Sequence, residues 1–263
     1  MTNTERYLNG QHAVVTGGSR GIGAAVAAAL ARRGARLTII SRSGTSLEAH
    51  AAALRGQYSA DVRVVAADVT NATAVEAAFR AATSALGPVN ILVNNAGAAA
   101  GAKFVGMTRS LWDEMIAVNL TATFSCTMQV IPAMLEAKSG RVINMASTAG
   151  LRGVKAMTAY CAAKHGVVGF TRSLALEMAR HGVTVNAVCP GYVDSEMTDR
   201  GVAALVQALH KSPEEARAMM VGTIPRGRLT TADEVAGAVA WLCAPEAAAV
   251  TGITLPVSGG EGS

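Results

Sequence analysis

The strongest constraint on the fold is a regular alternation of two kinds of segment. Short, predominantly apolar runs occur at HAVVT (12–16), RLTIIS (36–41), VRVVAADV (62–69), VNILVNN (89–95), RVINMAS (141–147), VTVNAVCPG (183–191) and GITLPVSGG (252–260). Longer, mostly alanine-rich stretches separate them, over 23–34, 46–57, 72–86, 108–138, 156–180 and 232–244. A strand with one wet face alternates polar and apolar residues, whereas a run that is apolar throughout is buried on both faces. Helical crossovers of this length return the chain to a parallel neighbour. The pattern predicts an α/β fold: one doubly wound, Rossmann-type parallel sheet of about seven strands, with helices on both faces. Pro132 predicts a bend or break in the 108–138 helix. Residues 195–225 read as polar, irregular and partly helical.

The 263 residues show no repeat and no linker, so 1–263 is expected to be a single domain, with 192–225 as a substrate loop or lid. With 51% hydrophobic and 16% charged residues, the composition excludes a disordered chain. Aromatics are only 4%, so the core must close through near approach of backbones. The net charge of +5 comes from scattered basic residues without a basic run or aromatic-spaced stripe, which argues against nucleic acid as a partner. Cys126, Cys161, Cys189 and Cys243 form no C-x-x-C pair and no metal-ligand spacing; free thiols, no metal and a cytoplasmic location are expected. The N-terminus lacks a secretory pattern, and no apolar run reaches the roughly 18 residues of a membrane span.

The turn after the first strand reads Thr16-Gly17-Gly18-Ser19-Arg20-Gly21-Ile22-Gly23. Glycines there allow positive φ and close backbone approach. A helix that starts at such a turn aims free N–H groups and its positive dipole end at an anion, which in the first βα unit is a dinucleotide pyrophosphate. An acidic residue at the end of the second strand would hold the ribose 2′-hydroxyl of NAD(H). Ser41 and Arg42 stand there instead. A guanidinium pairs a 2′-phosphate at two points, and Arg20 could add a second cation, so NADP(H) is expected over NAD(H).

Tyr160 and Lys164 lie four residues apart in AYCAAKHGVVGF. On a helix they share a face. A phenol titrates near ~10, and an adjacent ammonium is expected to lower that value, making the hydroxyl a proton donor or acceptor for a carbonyl oxygen. Alone, Y-x-x-x-K recurs by chance. Cys161 and His165 flank the pair but point elsewhere on a helix and read as packing residues.

These features recur together. Thr16-Gly17-x-x-x-Gly21-x-Gly23 is followed by Asn94-Asn95-Ala96-Gly97, by Asn119 in AVNL, by Ser147 thirteen residues before Tyr160, and by Pro190-Gly191. In this order and spacing, along nearly the whole chain, they resemble the short-chain dehydrogenase/reductase family. The resemblance implies that Tyr160 is the acid/base, that Lys164 tunes it and binds the nicotinamide ribose, that Ser147 bonds the substrate oxygen, and that Asn119 holds a water linking Lys164 to solvent. It further implies cofactor contacts from Gly17, Ser19, Arg20, Gly21, Ile22, Gly23, Ser41 and Arg42, from Asp68 and Val69 beside the adenine, from Asn95, Ala96 and Gly97, and from Pro190 and Gly191. Val193 would offer its N–H to the carboxamide. Ser195 stands where many relatives carry threonine, and its hydroxyl can make the same bond. Family members commonly tetramerise through the helices that hold Asn119 and Tyr160 and through the C-terminal strand, so the resemblance implies a homotetramer.

The implied reaction interconverts a secondary alcohol and a ketone. INMASTAG, AVCPGY and VSGGE resemble members that act on 3-hydroxyacyl and 3-oxoacyl thioesters. Lys103, Arg152, Lys155 and Arg200 would place basic charge near an otherwise small and apolar mouth, suited to a phosphorylated acyl carrier. A broad carbonyl reductase and a silent NADP(H)-binding sensor are the alternatives.

Overall fold

The computed structural model describes residues 6–262. In chain order the elements are β1 (His12–Thr16), α1 (Gly21–Arg32), β2 (Arg36–Ser41), α2 (Gly44–Tyr58), β3 (Val62–Ala66), α3 (Ala72–Leu86), β4 (Ile91–Asn94), α4 (Arg109–Ile116), α5 (Ala122–Met128), α6 (Ile131–Ala137), β5 (Gly140–Met145), α7 (Thr158–Met178), β6 (Val183–Pro190), α8 (Glu196–Leu209), α9 (Pro213–Val221), α10 (Ala232–Leu242) and β7 (Thr254–Val257). The strands form one sheet in the order β3-β2-β1-β4-β5-β6-β7, and every pairing is parallel. β1 pairs β2 on one side and β4 on the other, so the winding reverses there. The carboxyl ends of β1 and β4 therefore border the crevice where doubly wound sheets take ligands.

Successive side chains leave a strand on opposite faces. Val15, Ile39 and Val93 enter a core with Val26 and Leu30 of α1, Leu47 and Leu54 of α2, and Val235 and Val239 of α10. Val14, Leu92, Val142 and Val185 enter the opposite core with Phe79 of α3, Cys126 of α5, Met134 of α6 and Met178 of α7. Each large aliphatic chain fully withdrawn from water, such as Leu30 or Ile39, contributes about 1.5–3 kcal/mol.

The 108–138 stretch breaks beside Pro132 as expected, with α6 starting separately and the proline in its first turn; not expected is the π-helical turn, Ala117–Thr121, through which α4 passes into α5. The proline is accommodated where a helical N–H has no partner in any case. Residues 195–225 are more ordered than expected. α8 and α9 fill most of them, and Ser212 and Glu215 close a reciprocal capping box at the start of α9. Among the described residues, no single helix is long and apolar enough to cross a membrane.

Candidate active site

The end of β1 and the end of β4 are bonded together before any ligand is considered. The Thr16 hydroxyl accepts from the N–H groups of Asn95 and Ala96, each at 3.0 Å. Asn95 Nδ2 donates to the carbonyls of Thr16 at 2.9 Å and Gly17 at 3.2 Å. Gly17 has φ +65°, and a Cβ on Gly23 would run into the Gly17 carbonyl and lie 2.5 Å from Asn95 Nδ2. Only glycine lets α1 start this close to β1. A Cβ on Gly21, by contrast, would meet nothing within 4 Å. α1 opens with no side-chain cap and no carboxylate in its first turn, so the N–H groups of Gly21, Ile22 and Gly23 border a space that suits an anion. This cradle fits a dinucleotide.

At the adenosine end, Ser19 Oγ lies 3.2 Å from Ser41 Oγ, which draws the glycine turn to the end of β2. Arg42 is exposed and, among the described residues, makes no ion pair. The Asp68 carboxylate accepts from the Thr70 N–H at 2.9 Å and the Thr70 hydroxyl at 2.7 Å. These bonds, with the more distant Arg42, hold its pKa below the usual value. Val69 beside it is buried. Arg20 is not the free cation expected: its guanidinium pairs with Glu196 at 2.7 Å, because α8 brings a carboxylate over the glycine turn.

Ser147, Tyr160, Lys164 and Asn119 come together beyond the ends of β4, β5 and β6. Ser147 follows β5, where its Oγ accepts from the Ala149 N–H at 3.1 Å and caps a short 3-10 turn. The same hydroxyl faces Tyr160 and draws the phenol's pKa downward. Lys164, one turn further along α7, has its ammonium 5.7 Å from the centre of the Tyr160 ring and donates to the Met145 carbonyl at 2.7 Å. Asn119 sits in the π turn, where Nδ2 donates to the carbonyls of Ala98 at 2.9 Å and Met115 at 3.0 Å. Its Oδ1 accepts from the Ala98 N–H at 3.3 Å. Gly97 fits between Asn119 and Lys164: a Cβ there would lie 2.7 Å from Asn119 Oδ1 and 3.7 Å from the lysine Nζ.

The electrostatics differ from the sequence expectation. Lys164 does not make the phenol more acidic here. Tyr160 is only 9% exposed and Lys164 only 5%. Burial pushes Tyr160 up to about 12, against a smaller lowering by the Ser147 hydroxyl. Burial also pushes Lys164 down to about 8. Desolvation is the largest cause for both groups, and the ammonium is turned towards the Met145 carbonyl.

At the end of β6, Pro190 is buried and Gly191 leads into Val193, which bridges to Thr230. The bridge uses the Tyr192 carbonyl and the Asp194 N–H, leaving the N–H of Val193 directed away from that strand. The Ser195 hydroxyl donates to the Val193 carbonyl at 3.2 Å, and Thr198 donates to the same oxygen. The sequence reading assigned no individual role to Thr16, Thr198 or Glu261. Arg152, expected as a cation at the mouth, instead pairs with Glu261 at 2.7 Å. Lys103, Lys155 and Arg200 are exposed and, among the described residues, unpaired.

Residues 11–205 match the short chain dehydrogenase family. Over 254 residues the chain is 41% identical to the 3-oxoacyl-(acyl-carrier-protein) reductase FabG of Vibrio cholerae serotype O1, covering 96% of this chain and 98% of that one. A tryptophan variant of actinorhodin polyketide ketoreductase with NADPH superimposes at a TM-score of 0.93 with 39% identity, covering 100% of this chain and 99% of that one. Levodione reductase superimposes at 0.92 with 33% identity, covering 97% and 98%. Matched by the family over most of its length, and 41% identical to a reductase that it covers almost completely, the chain belongs to the short chain dehydrogenases and is an oxidoreductase.

Proposed function

We propose that this enzyme reduces a 3-oxoacyl thioester to the 3-hydroxyacyl thioester with NADP(H). The observation that carries the chemistry is the buried cluster in which Tyr160 faces Ser147 and stands one helical turn from Lys164, whose ammonium lies 5.7 Å from its ring centre. Gly17 to Gly23 and the start of α1 would hold the pyrophosphate, Asp68 and Val69 the adenine side, and Ser41 and Arg42 the 2′-phosphate, with Arg20 joining once released from Glu196. Asn95 to Gly97, Pro190, Gly191, Val193 and Ser195 would border the nicotinamide end. When bound, the cofactor supplies hydride to the carbonyl carbon.

The chain's own residues handle the oxygen and its proton. The Ser147 hydroxyl, whose oxygen already accepts from Ala149, has its hydrogen left to orient the substrate oxygen. Tyr160, held protonated by burial, gives its phenolic proton to that oxygen. Lys164 keeps a positive charge beside the phenolate left behind, and Asn119 orders the polar path behind Lys164.

The thioester reading draws on the substrate named for the Vibrio cholerae relative and on the polyketide ketoreductase likeness. Comparing kcat/KM for acetoacetyl-CoA with that for a plain ketone, using NADPH and NADH, tests it; equal values would end the thioester claim. The likeness to levodione reductase favours a second reading, a broad carbonyl reductase, which equal values would support. A silent NADP(H) sensor would oxidise cofactor with neither substrate.

Three coarser expectations belong to the same proposal. The chain acts as one domain, with 192–225 as a lid that Arg217 ties together internally by pairing Asp194 at 2.6 Å and Asp199 at 3.1 Å. It assembles as a homotetramer, for which the exposed Phe124 and Met128 on α5, Leu176 on α7 and Trp241 on α10 offer apolar contact surface. It works in the reducing cytoplasm, in keeping with four free, buried cysteines.

A further inference from the structure

A carboxylate from near the end of the chain joins two loops that flank the site. The Glu261 side chain is only 4% exposed. One oxygen accepts from the Thr148 hydroxyl at 3.3 Å and from Arg152 Nη2 at 2.7 Å. The other accepts from the Tyr192 N–H at 3.0 Å. The Ser258 hydroxyl donates to the Glu261 carbonyl at 3.0 Å and fixes the turn from which the side chain projects. Thr148 is the neighbour of Ser147, and Tyr192 follows Gly191, so one carboxylate touches the serine turn, the mouth segment and the exit of β6.

Two features argue against simple packing. A buried carboxylate is costly to desolvate, and an apolar side chain would fill the same volume at less cost. The backbone also makes room for it: a Cβ on Gly191 would collide with Glu261 Oε2 and crowd Ser258. Glycine at 191 is what lets the carboxylate reach the Tyr192 N–H.

We propose that Glu261 is a positioning residue for the reduction. It fixes the spacing between the Ser147–Thr148 turn and the Gly191–Tyr192 backbone, and so sets where the Ser147 hydroxyl stands relative to Tyr160 and the nicotinamide end. Arg152 is its counter-ion rather than a receptor for substrate phosphate. The proposal rests on the oxidoreductase reading above.

The test compares the parent enzyme with Glu261→Ala and Glu261→Gln. It measures kcat and KM for ketone reduction, NADPH affinity by fluorescence titration, and amide hydrogen exchange. An ångström of misplacement at a reacting group typically costs about 100-fold, so Glu261→Ala should lose roughly 10–100-fold in kcat. Its NADPH affinity should stay within about 2-fold, because the pyrophosphate cradle is untouched. Glu261→Gln keeps an acceptor for Tyr192 and a polar partner for Thr148, and should recover most of the lost kcat. Exchange should quicken in Glu261→Ala over residues 147–152 and 190–193 together. The proposal is overturned if Glu261→Ala keeps its kcat, if exchange rises in only one of the two segments or in neither, or if kcat and NADPH affinity fall together with no recovery in Glu261→Gln. Absence of any ketone reduction by the parent enzyme would instead sink the functional reading, and the exchange comparison would still decide the placement of the two loops.

Discussion

The Arg20 guanidinium donates a 2.7 Å hydrogen bond to the Glu196 carboxylate, tying the glycine turn to the first residue of α8. Both side chains are more than half exposed, at 60% and 65%, so water screens the pair and holds it weakly. A 2′-phosphate carries more charge than a carboxylate and meets a guanidinium at two points. On the proposed contact between Arg20 and the 2′-phosphate, Glu196 would compete with the cofactor for Arg20. Glu196→Gln should lower KM for NADPH by about 2–4-fold, the range of a surface ion pair, and leave NADH unchanged. Arg42→Asp should raise KM for NADPH by about tenfold or more and spare NADH. Steady-state titration with both cofactors checks this; equal losses would refute the 2′-phosphate assignment.

The directions of the two buried pKa shifts predict opposite pH profiles for the two directions of reaction. Tyr160, pushed up to about 12, stays protonated through neutrality, so reduction has its donor in place. Lys164, pushed down to about 8, loses its charge as pH rises through that value. Reductive kcat should fall above about pH 8, while alcohol oxidation, which needs the phenolate, should rise with pH. Tyr160→Phe should cost about 10²–10⁴ in kcat, the usual worth of a positioned acid. Turnover that survives this substitution would remove Tyr160 from the mechanism.

Lys164 should also cost the fold stability. Its folded pKa lies below the unfolded one, so the unfolded chain holds more protons between about pH 8 and 10.5, and stability rises with pH across that window. Below it the full penalty for burying the ammonium is present, about 3 kcal/mol. Lys164→Met removes that penalty and loses the bond to the Met145 carbonyl, worth about 1 kcal/mol. The variant should be inactive yet more stable than the parent by about 2 kcal/mol at pH 7, with the gain disappearing towards pH 10.5. Urea unfolding at the two pH values measures it, and a less stable variant at pH 7 contradicts the argument.

Ala156, just before α7, has φ +63°, a left-handed conformation that costs a Cβ-bearing residue about 1–2 kcal/mol. Ala156→Gly relieves that strain but adds freedom to the unfolded chain, about 0.5–1 kcal/mol. The expected result is a small net gain in stability, about 0.5 kcal/mol. If the strain helps hold the mouth segment, KM for ketone should rise while KM for NADPH does not move.

Leu176 on α7 is 82% exposed, although α7 otherwise buries much of its length. If α5 and α7 form a subunit contact, Leu176→Glu places a charge in an apolar interface and should shift the protein to smaller species in sedimentation velocity. An unchanged sedimentation coefficient would exclude this face from the assembly.

The layout of the sheet was legible because burial on both faces leaves a strand little freedom of composition, as Val14 and Val15 show by entering opposite cores. The glycine turn was legible because Gly23 has no room for a side chain against Gly17. The spacing of Tyr160 and Lys164 was legible because helical geometry alone puts them on one face. None of these depends on distant parts of the chain. The π turn at Asn119 was hidden, since one extra residue in a helical turn leaves no mark on apolar periodicity. The direction of the Tyr160 shift was hidden as well, because it depends on how far the folded chain excludes water and on where the Lys164 ammonium turns. The partners of Arg20 and Arg152 lie 176 and 109 residues away. Such pairs form only once the sheet has closed, and no local pattern encodes them: the sequence by itself determined the glycine turn and the shared helix face of Tyr160 and Lys164, and the tertiary structure decided which charges are free to use.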